Sequence, residues 1–180
     1  MASILSLLET PEPPHLTMKP RAGTLSIAEV NAKIETLLGH SAMGRQEREL
    51  ARATVLLWHD HFDAAHEIAQ DVENADGSLL HGILHRREPD YGNARYWFRR
   101  VGRHRSFECI AGKLKVIFSK APDDLVAKQI VANDQWHPLT FVDFLEDNAR
   151  RKDGAYDALI REIQSAEIHC FLLTLPTMQK

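Results

Sequence analysis

From Ser26 to Cys170 the apolar residues of this chain recur at intervals of three and four, and no stretch alternates apolar and polar side chains as a half-buried strand must. That spacing restricts the chain to helices. Ser26-Ile27-Ala28-Glu29 is a capping box, and Ile27, Val30, Ile34, Leu37 and Leu38 follow on one face until Gly39. A second helix is expected over about Arg45–Trp58, with Leu50, Ala53, Thr54 and Leu57 as its stripe. Phe107, Ile110, Leu114, Ile117 and Phe118 mark another, preferred over a short strand at Val116-Ile117-Phe118, and Pro122 with Asp123 and Asp124 begins one that should run to about Ala132. The next starts near Pro138, with Thr140-Phe141-Val142-Asp143 as a further box-like pattern. After the break at Asp153-Gly154, Tyr156, Leu159, Ile160, Ile163, Ala166 and Cys170 form the stripe of a long closing helix. Four of the eight prolines fall between Thr10 and Gly23. A short first helix and a Pro-rich arm over 1–25 should therefore precede one helical domain over 26–180.

The middle of the chain repeats itself. Trp58 to Ala69 aligns with Arg87 to Phe98 at an offset of 29, placing Phe62 over Tyr91, Ala65 over Ala94 and Val72 over Val101. In each copy a helix ends in a polar turn, an aromatic closes the turn, and an alanine three residues later admits a close neighbour. The pattern, from about Leu50 to Arg103 with Gly82 in place, resembles the second half of a tetratricopeptide repeat. The expected fold is all-α, a single-domain bundle of antiparallel helical hairpins, tetratricopeptide-like in the middle.

At 180 residues, 44% hydrophobic and 26% charged, the chain can bury a core of its own. The net charge of −3 provides no global field for nucleic acid or an acidic membrane, so nucleic acid is not an expected partner. No apolar run approaches the roughly 20 residues of a bilayer span. Cys109 and Cys170 are too few for a disulfide framework and lack zinc or redox spacing, and the N-terminal apolar run has no basic flank. These features point to the cytoplasm.

Six of the ten histidines (His59, His61, His66, His81, His85 and His104) lie within residues 59–104. Histidine is the commonest metal ligand and titrates near neutrality, so the cluster is the first place to seek a site. His81 and His85 share a helix face at i and i+4, as do Asp63 and His66 at i and i+3. On a helical wheel Leu79, Leu80, Ile83 and Leu84 oppose both histidines, which should line a solvated face. If the hairpins stack, His81, His85, His66 and Asp63 could hold a divalent metal such as zinc, iron or manganese, with Glu67 or Glu88 as general base. His59-Asp60 also resembles the metal-binding pair of HD-domain phosphohydrolases, which implies an earlier His such as His40 and a later Asp such as Asp123 or Asp124.

Arg86, Arg87, Arg95, Arg99, Arg100, Arg103 and Arg105 are seven of fourteen arginines within 20 residues. Arg95, Arg99 and Arg103 recur every four positions opposite the stripe of Ala94, Trp97, Phe98 and Val101, a row of guanidinium groups suited to phosphate or carboxylate. Trp97 and Phe98 themselves are expected in the core. No phosphate-binding glycine loop, nucleophile elbow or Cys/His nucleophile pair is present.

The runs Trp58-His59-Asp60-His61, His66-Glu67-Ile68-Ala69-Gln70, Ala75-Asp76-Gly77-Ser78, His81 to Asp90 and Asn93 to Phe98 resemble a group of all-helical bacterial and fungal proteins without an established activity. Trp136-His137-Pro138 and Phe141-Val142-Asp143 continue the likeness, which implies no particular chemistry. Helical-hairpin arrays present concave surfaces to partners. The expected function is binding of an anionic small ligand or a protein segment in a groove lined by His59, His61, His66, His81, His85, Arg86, Arg95, Arg99 and Arg103. The alternative is a metal-dependent hydrolase with a His/Asp/Glu site. Oligomeric state and substrate are not encoded in any motif.

Overall fold

A computed structural model describes residues 3–120 and 129–175. After a 3-10 turn at Ile4–Leu8, the described residues contain eight α-helices: α1 (Ile27–Leu38), α2 (Arg45–Trp58), α3 (Phe62–Gln70), α4 (Ala75–Arg87), α5 (Tyr91–Val101), α6 (Ser106–Phe118), α7 (Pro138–Arg151) and α8 (Asp157–Thr174). The all-α, single-domain bundle is what the apolar periodicity requires. Its caps follow the sequence: Ser26 Oγ accepts from the Glu29 amide while the Glu29 carboxylate accepts from the Ser26 amide, and Pro138 opens α7. Asn74 and Asp90 cap α4 and α5 in the same way, accepting from the amides of Gly77 and Asn93.

Consecutive helices α2 with α3 and α4 with α5 form the central hairpins, and α6 packs along α8. Gly82 sets how closely α4 and α5 approach, because a Cβ there would lie 2.9 Å from the Phe98 ring. One hydrophobic cluster joins α1 to α5, with Val142 of α7 and Phe171 of α8 reaching into it. A second, around Ile110, Trp136, Phe141 and Ile160, holds α6, α7 and α8 together.

Three expectations need correction. β1 (Val131–Ala132) pairs antiparallel with β2 (Gln135–Trp136), so strand pairing is not absent and the helix expected to reach Ala132 gives way to a tight hairpin with Asn133 and Asp134 at positive φ. The expected start of that helix, with Asp123 and Asp124, lies outside the described residues. Cys109 and Cys170 are joined in a disulfide that ties α6 to α8 across a sequence separation of 61. Two cysteines make no framework, yet two facing helices are enough to bring them together.

The arm does not stand apart from the body. Ile4, Leu7 and Leu8 are buried in the first cluster, and the following residues are pinned by buried polar side chains. Asp60, held at positive φ in the turn after α2, accepts from the Arg21 amide and Nε and from the Arg87 guanidinium at 2.8–3.1 Å. Arg87 also donates to the Leu57 and His15 carbonyls, and Gln164 of α8 donates to the Pro14 carbonyl. Such contacts satisfy the backbone of a segment too rich in proline to form helix or sheet.

Candidate imidazole site

Burial on α4 is continuous from Asp76 to Arg87, because α3 and α5 both pack against it and α2 approaches it as well. A helix enclosed in this way has no solvated face. His81 and His85 are therefore buried, 2% and 8% exposed, where an exposed position was expected. Of the residues expected to converge, His66 meets His81 and His85, and Asp63 does not join them. His66 of α3 brings its ring 5.1 Å from that of His81 and 5.3 Å from that of His85, in edge-on contacts. His81 and His85 stack at 5.9 Å, and Trp97 of α5 lies parallel to His81 at 4.1 Å. Three imidazoles from two helices and one indole from a third make up the cluster.

The hydrogen bonds fix the protons. Gly77 O can only accept, so His81 Nδ1 is the protonated nitrogen, at 3.2 Å, and Nε2 carries the lone pair. His85 Nδ1 donates to the Glu88 carboxylate at 2.9 Å, and its Nε2 accepts from the Asn93 amide at 3.1 Å. Among the described residues neither His66 nor His81 Nε2 makes a hydrogen bond, and His81 Nε2 is not one of the fully enclosed atoms lacking a partner. Burial, reinforced by the neighbouring imidazole of His66, pushes His81 down to about 4 despite its bond to Gly77. It is a neutral acceptor at physiological pH, not a cation awaiting an anion.

Charge near the cluster comes from Arg100, whose guanidinium lies 5.4 Å from the centre of the Trp97 ring and 5.7 Å from that of Tyr96. Arg99 is exposed one residue earlier. The expected arginine row is otherwise broken up. Arg95 pairs with Asp143 and Glu146 of α7, which raise it above its ordinary range, and Arg103 lines a different cavity beside Trp136. Arg86 is fully buried against Glu167 and stacked on Phe141, so it lines no groove.

His59 and His61 are corrected in the same sense. His59 Nε2 donates to Leu7 O and its Nδ1 accepts from the Leu25 amide, while His61 Nε2 donates to Leu25 O. Both hold the N-terminal segment. Asp60, the partner in the HD pair, is occupied by two guanidinium groups, which leaves no negative charge for a metal. Asp63 is exposed and makes no ion pair among the described residues. Across the described residues no group of three or more His, Cys, Asp or Glu side chains is placed to hold a metal ion.

Of the residues singled out from the sequence, His66, His81 and His85 lie together, and Trp97, Asn93 and Arg100, which were not singled out with them, complete their surroundings. The offset of three and four between Asn93, Trp97 and Arg100 was the available signal, since it puts them on one edge of α5. No family model, curated protein or solved structure matches the chain. No helix among the described residues is long and apolar enough to cross a membrane.

Proposed function

We propose that this chain is a helical-hairpin binding module that takes an anionic small molecule or an anionic protein segment at the edge of the His66, His81, His85 and Trp97 cluster. The observation that supports this reading is the meeting of imidazole nitrogens that have no partner among the described residues with a half-buried indole that Arg100 overlies. Arg100 and Arg99 supply the charge, and His81 Nε2 accepts a hydrogen bond from the ligand. The tetratricopeptide likeness belongs to the same proposal, supported by the equivalent alanines Ala65 and Ala94, both fully buried. So does membership of the bacterial and fungal group.

Titration calorimetry with citrate and with inorganic phosphate tests it. Wild-type protein should bind at least one of the two, and Arg99→Ala with Arg100→Ala should weaken that binding at least tenfold while the melting temperature stays within a few degrees. Binding of neither anion, or binding indifferent to both substitutions, would sink the reading.

The second reading, a metal-dependent hydrolase, has one observation in its favour. His81 and His85 both donate Nδ1–H to an oxygen and direct Nε2 away from it, as metal-ligating histidines do. Against it, Asn93 occupies His85 Nε2, and among the described residues no group of three or more His, Cys, Asp or Glu side chains is placed to hold a metal ion. Elemental analysis before and after chelation decides: one equivalent of zinc, iron or manganese, lost together in His81→Ala/His85→Ala, would replace the binding proposal. The cytoplasm, the proposed compartment, is reducing, and a bond such as Cys109–Cys170 is rarely maintained there. Alkylation of free thiols at the moment of cell lysis separates the two.

A further inference from the structure

The segment from Glu9 to Arg21 lies on the body as a bound peptide lies in a groove. His59 ties both of its flanks, meeting the Leu7 carbonyl with one ring nitrogen and the Leu25 amide with the other. Between those ties α2, α4 and α8 receive the arm. Pro14 is buried, and Leu16 packs against the second hydrophobic cluster. Trp58 Nε1 donates to Thr10 Oγ1 at 3.2 Å and Arg87 Nε to the His15 carbonyl at 3.2 Å. Gln164 Nε2 donates to the carbonyls of Pro14 and His15 at 3.2 and 3.3 Å, and Asp60 takes Arg21 at the far end.

Among the described residues no amide of residues 10–20 donates to the body, whose side chains here give protons to carbonyls. Such a surface suits a chain poor in N–H groups, which Pro11, Pro13, Pro14 and Pro20 supply. One group goes unanswered. Gln164 is fully buried, and its Oε1 has no donor among the described residues. In extended backbone a residue's N–H and C=O point to the same edge, so the side-chain amide that holds the Pro14 carbonyl faces the place where residue 14 would present an N–H. Proline has none, and an enclosed acceptor without a donor costs free energy. The arm itself covers Gln164, so lifting the arm uncovers both ends of its amide.

We infer that the groove of Trp58, Asp60, Arg87 and Gln164 is a recognition site for an extended segment of another protein, and that residues 9–21 occupy it in that segment's place. The segment shares the arm's polarity, with an apolar side chain two positions after the residue that Gln164 holds and an arginine seven positions after it for Asp60. Where the arm has Pro14, the segment has a residue with an N–H. A second copy of the chain does not fit, because His59 ties both flanks of each arm to its own body. None of these residues belongs to the imidazole cluster, so the site does not rest on that reading.

Fluorescence anisotropy of the full chain with a labelled synthetic peptide, Glu9 to Ala22, tests the inference. In the wild type the arm competes with the peptide. Arg21→Ala loosens the arm and leaves Asp60 and every donor of the groove in place, so this variant should bind the peptide at least tenfold more tightly than the wild type. Thr10→Val removes the acceptor of Trp58 Nε1 from the arm and should act in the same direction, which keeps the test open should Arg21→Ala fail to fold. A peptide with alanine in place of its arginine should bind at least tenfold more weakly. A peptide with alanine at position 14 should bind at least threefold more tightly than its N-methylalanine counterpart, in which a methyl group replaces the N–H hydrogen. No binding to either variant, equal binding to the wild type and both variants, or indifference to the peptide's arginine would each overturn the inference. Equal binding of the alanine and N-methylalanine peptides would overturn the part given to Gln164. Wild-type dimers that the peptide dissociates would put a second copy in the partner's place and overturn the assignment too.

Discussion

Arg86 and Glu167, 81 positions apart in the chain, face each other as a fully buried ion pair, with one guanidinium nitrogen on each carboxylate oxygen. The pair joins α4, the helix that carries the candidate site, to α8, which closes the bundle. Phe141 covers it, its ring centre 4.7 Å from the guanidinium carbon. Removing one partner strands a charge that water cannot reach, so Glu167→Ala should destabilise by about 3–5 kcal/mol. Replacing both, Arg86→Met with Glu167→Leu, should recover most of that loss. Urea unfolding of the three proteins checks the order, and a double variant as weak as the single would refute it.

His81 makes stability depend on pH with a definite sign. Its folded value, about 4, lies below the unfolded value of 6.5, so the folded state resists taking up the proton. The stabilisation is present in full above pH 6.5 and is lost as pH falls towards 4, amounting to roughly 2–3 kcal/mol. His59 and His169 are lowered by burial too and act in the same direction. Melting temperatures measured between pH 7.5 and 4.5 should fall, and His81→Gln should flatten the slope. A slope unchanged by that substitution would remove His81 from the explanation.

The Cys109–Cys170 bond closes a loop that spans the β1–β2 hairpin, α7 and most of α8. Loop-closure entropy gives such a cross-link about 4 kcal/mol. Reduction should therefore lower the melting temperature on the order of 10 °C. Calorimetric scans with and without a phosphine reductant measure this directly, and Cys109→Ser/Cys170→Ser should melt with the reduced protein.

At Gly82 the two central helices nearly touch. A methyl group there would meet three carbons of the Phe98 ring at 2.9 Å, and Phe98 is itself buried. Gly82→Ala should destabilise by about 1–3 kcal/mol despite the better helix propensity of alanine. If thermal unfolding instead shows a more stable protein, the packing of α4 on α5 is looser than described.

Much of the fold was legible because helix signals are local. The box at Ser26 and Glu29, the proline at Pro138 and the stripe from Tyr156 to Cys170 each act within a few residues, and each is found where the spacing puts it. The functional surface was less legible. The wheel for α4 assumes one buried face, whereas α4 is enclosed on every side, so His81 and His85 could not be read as exposed or buried from their own neighbours. The same enclosure turned Arg86 and Arg87 from presumed surface cations into buried donors whose partners lie 81 and 27 residues away.

The sequence by itself determined what backbone geometry and side-chain spacing can determine: an all-helical chain, its main breaks, and the sharing of one helix face by His81 and His85. Only the tertiary structure decided which carboxylate each guanidinium meets, that Cys109 faces Cys170, and that His59 and His61 hold the N-terminal segment while His66 joins His81 beside Trp97. The division has a physical cause. Helix propensity and capping are settled over a turn or two, but the charge state and accessibility of a side chain depend on what distant parts of the chain place beside it.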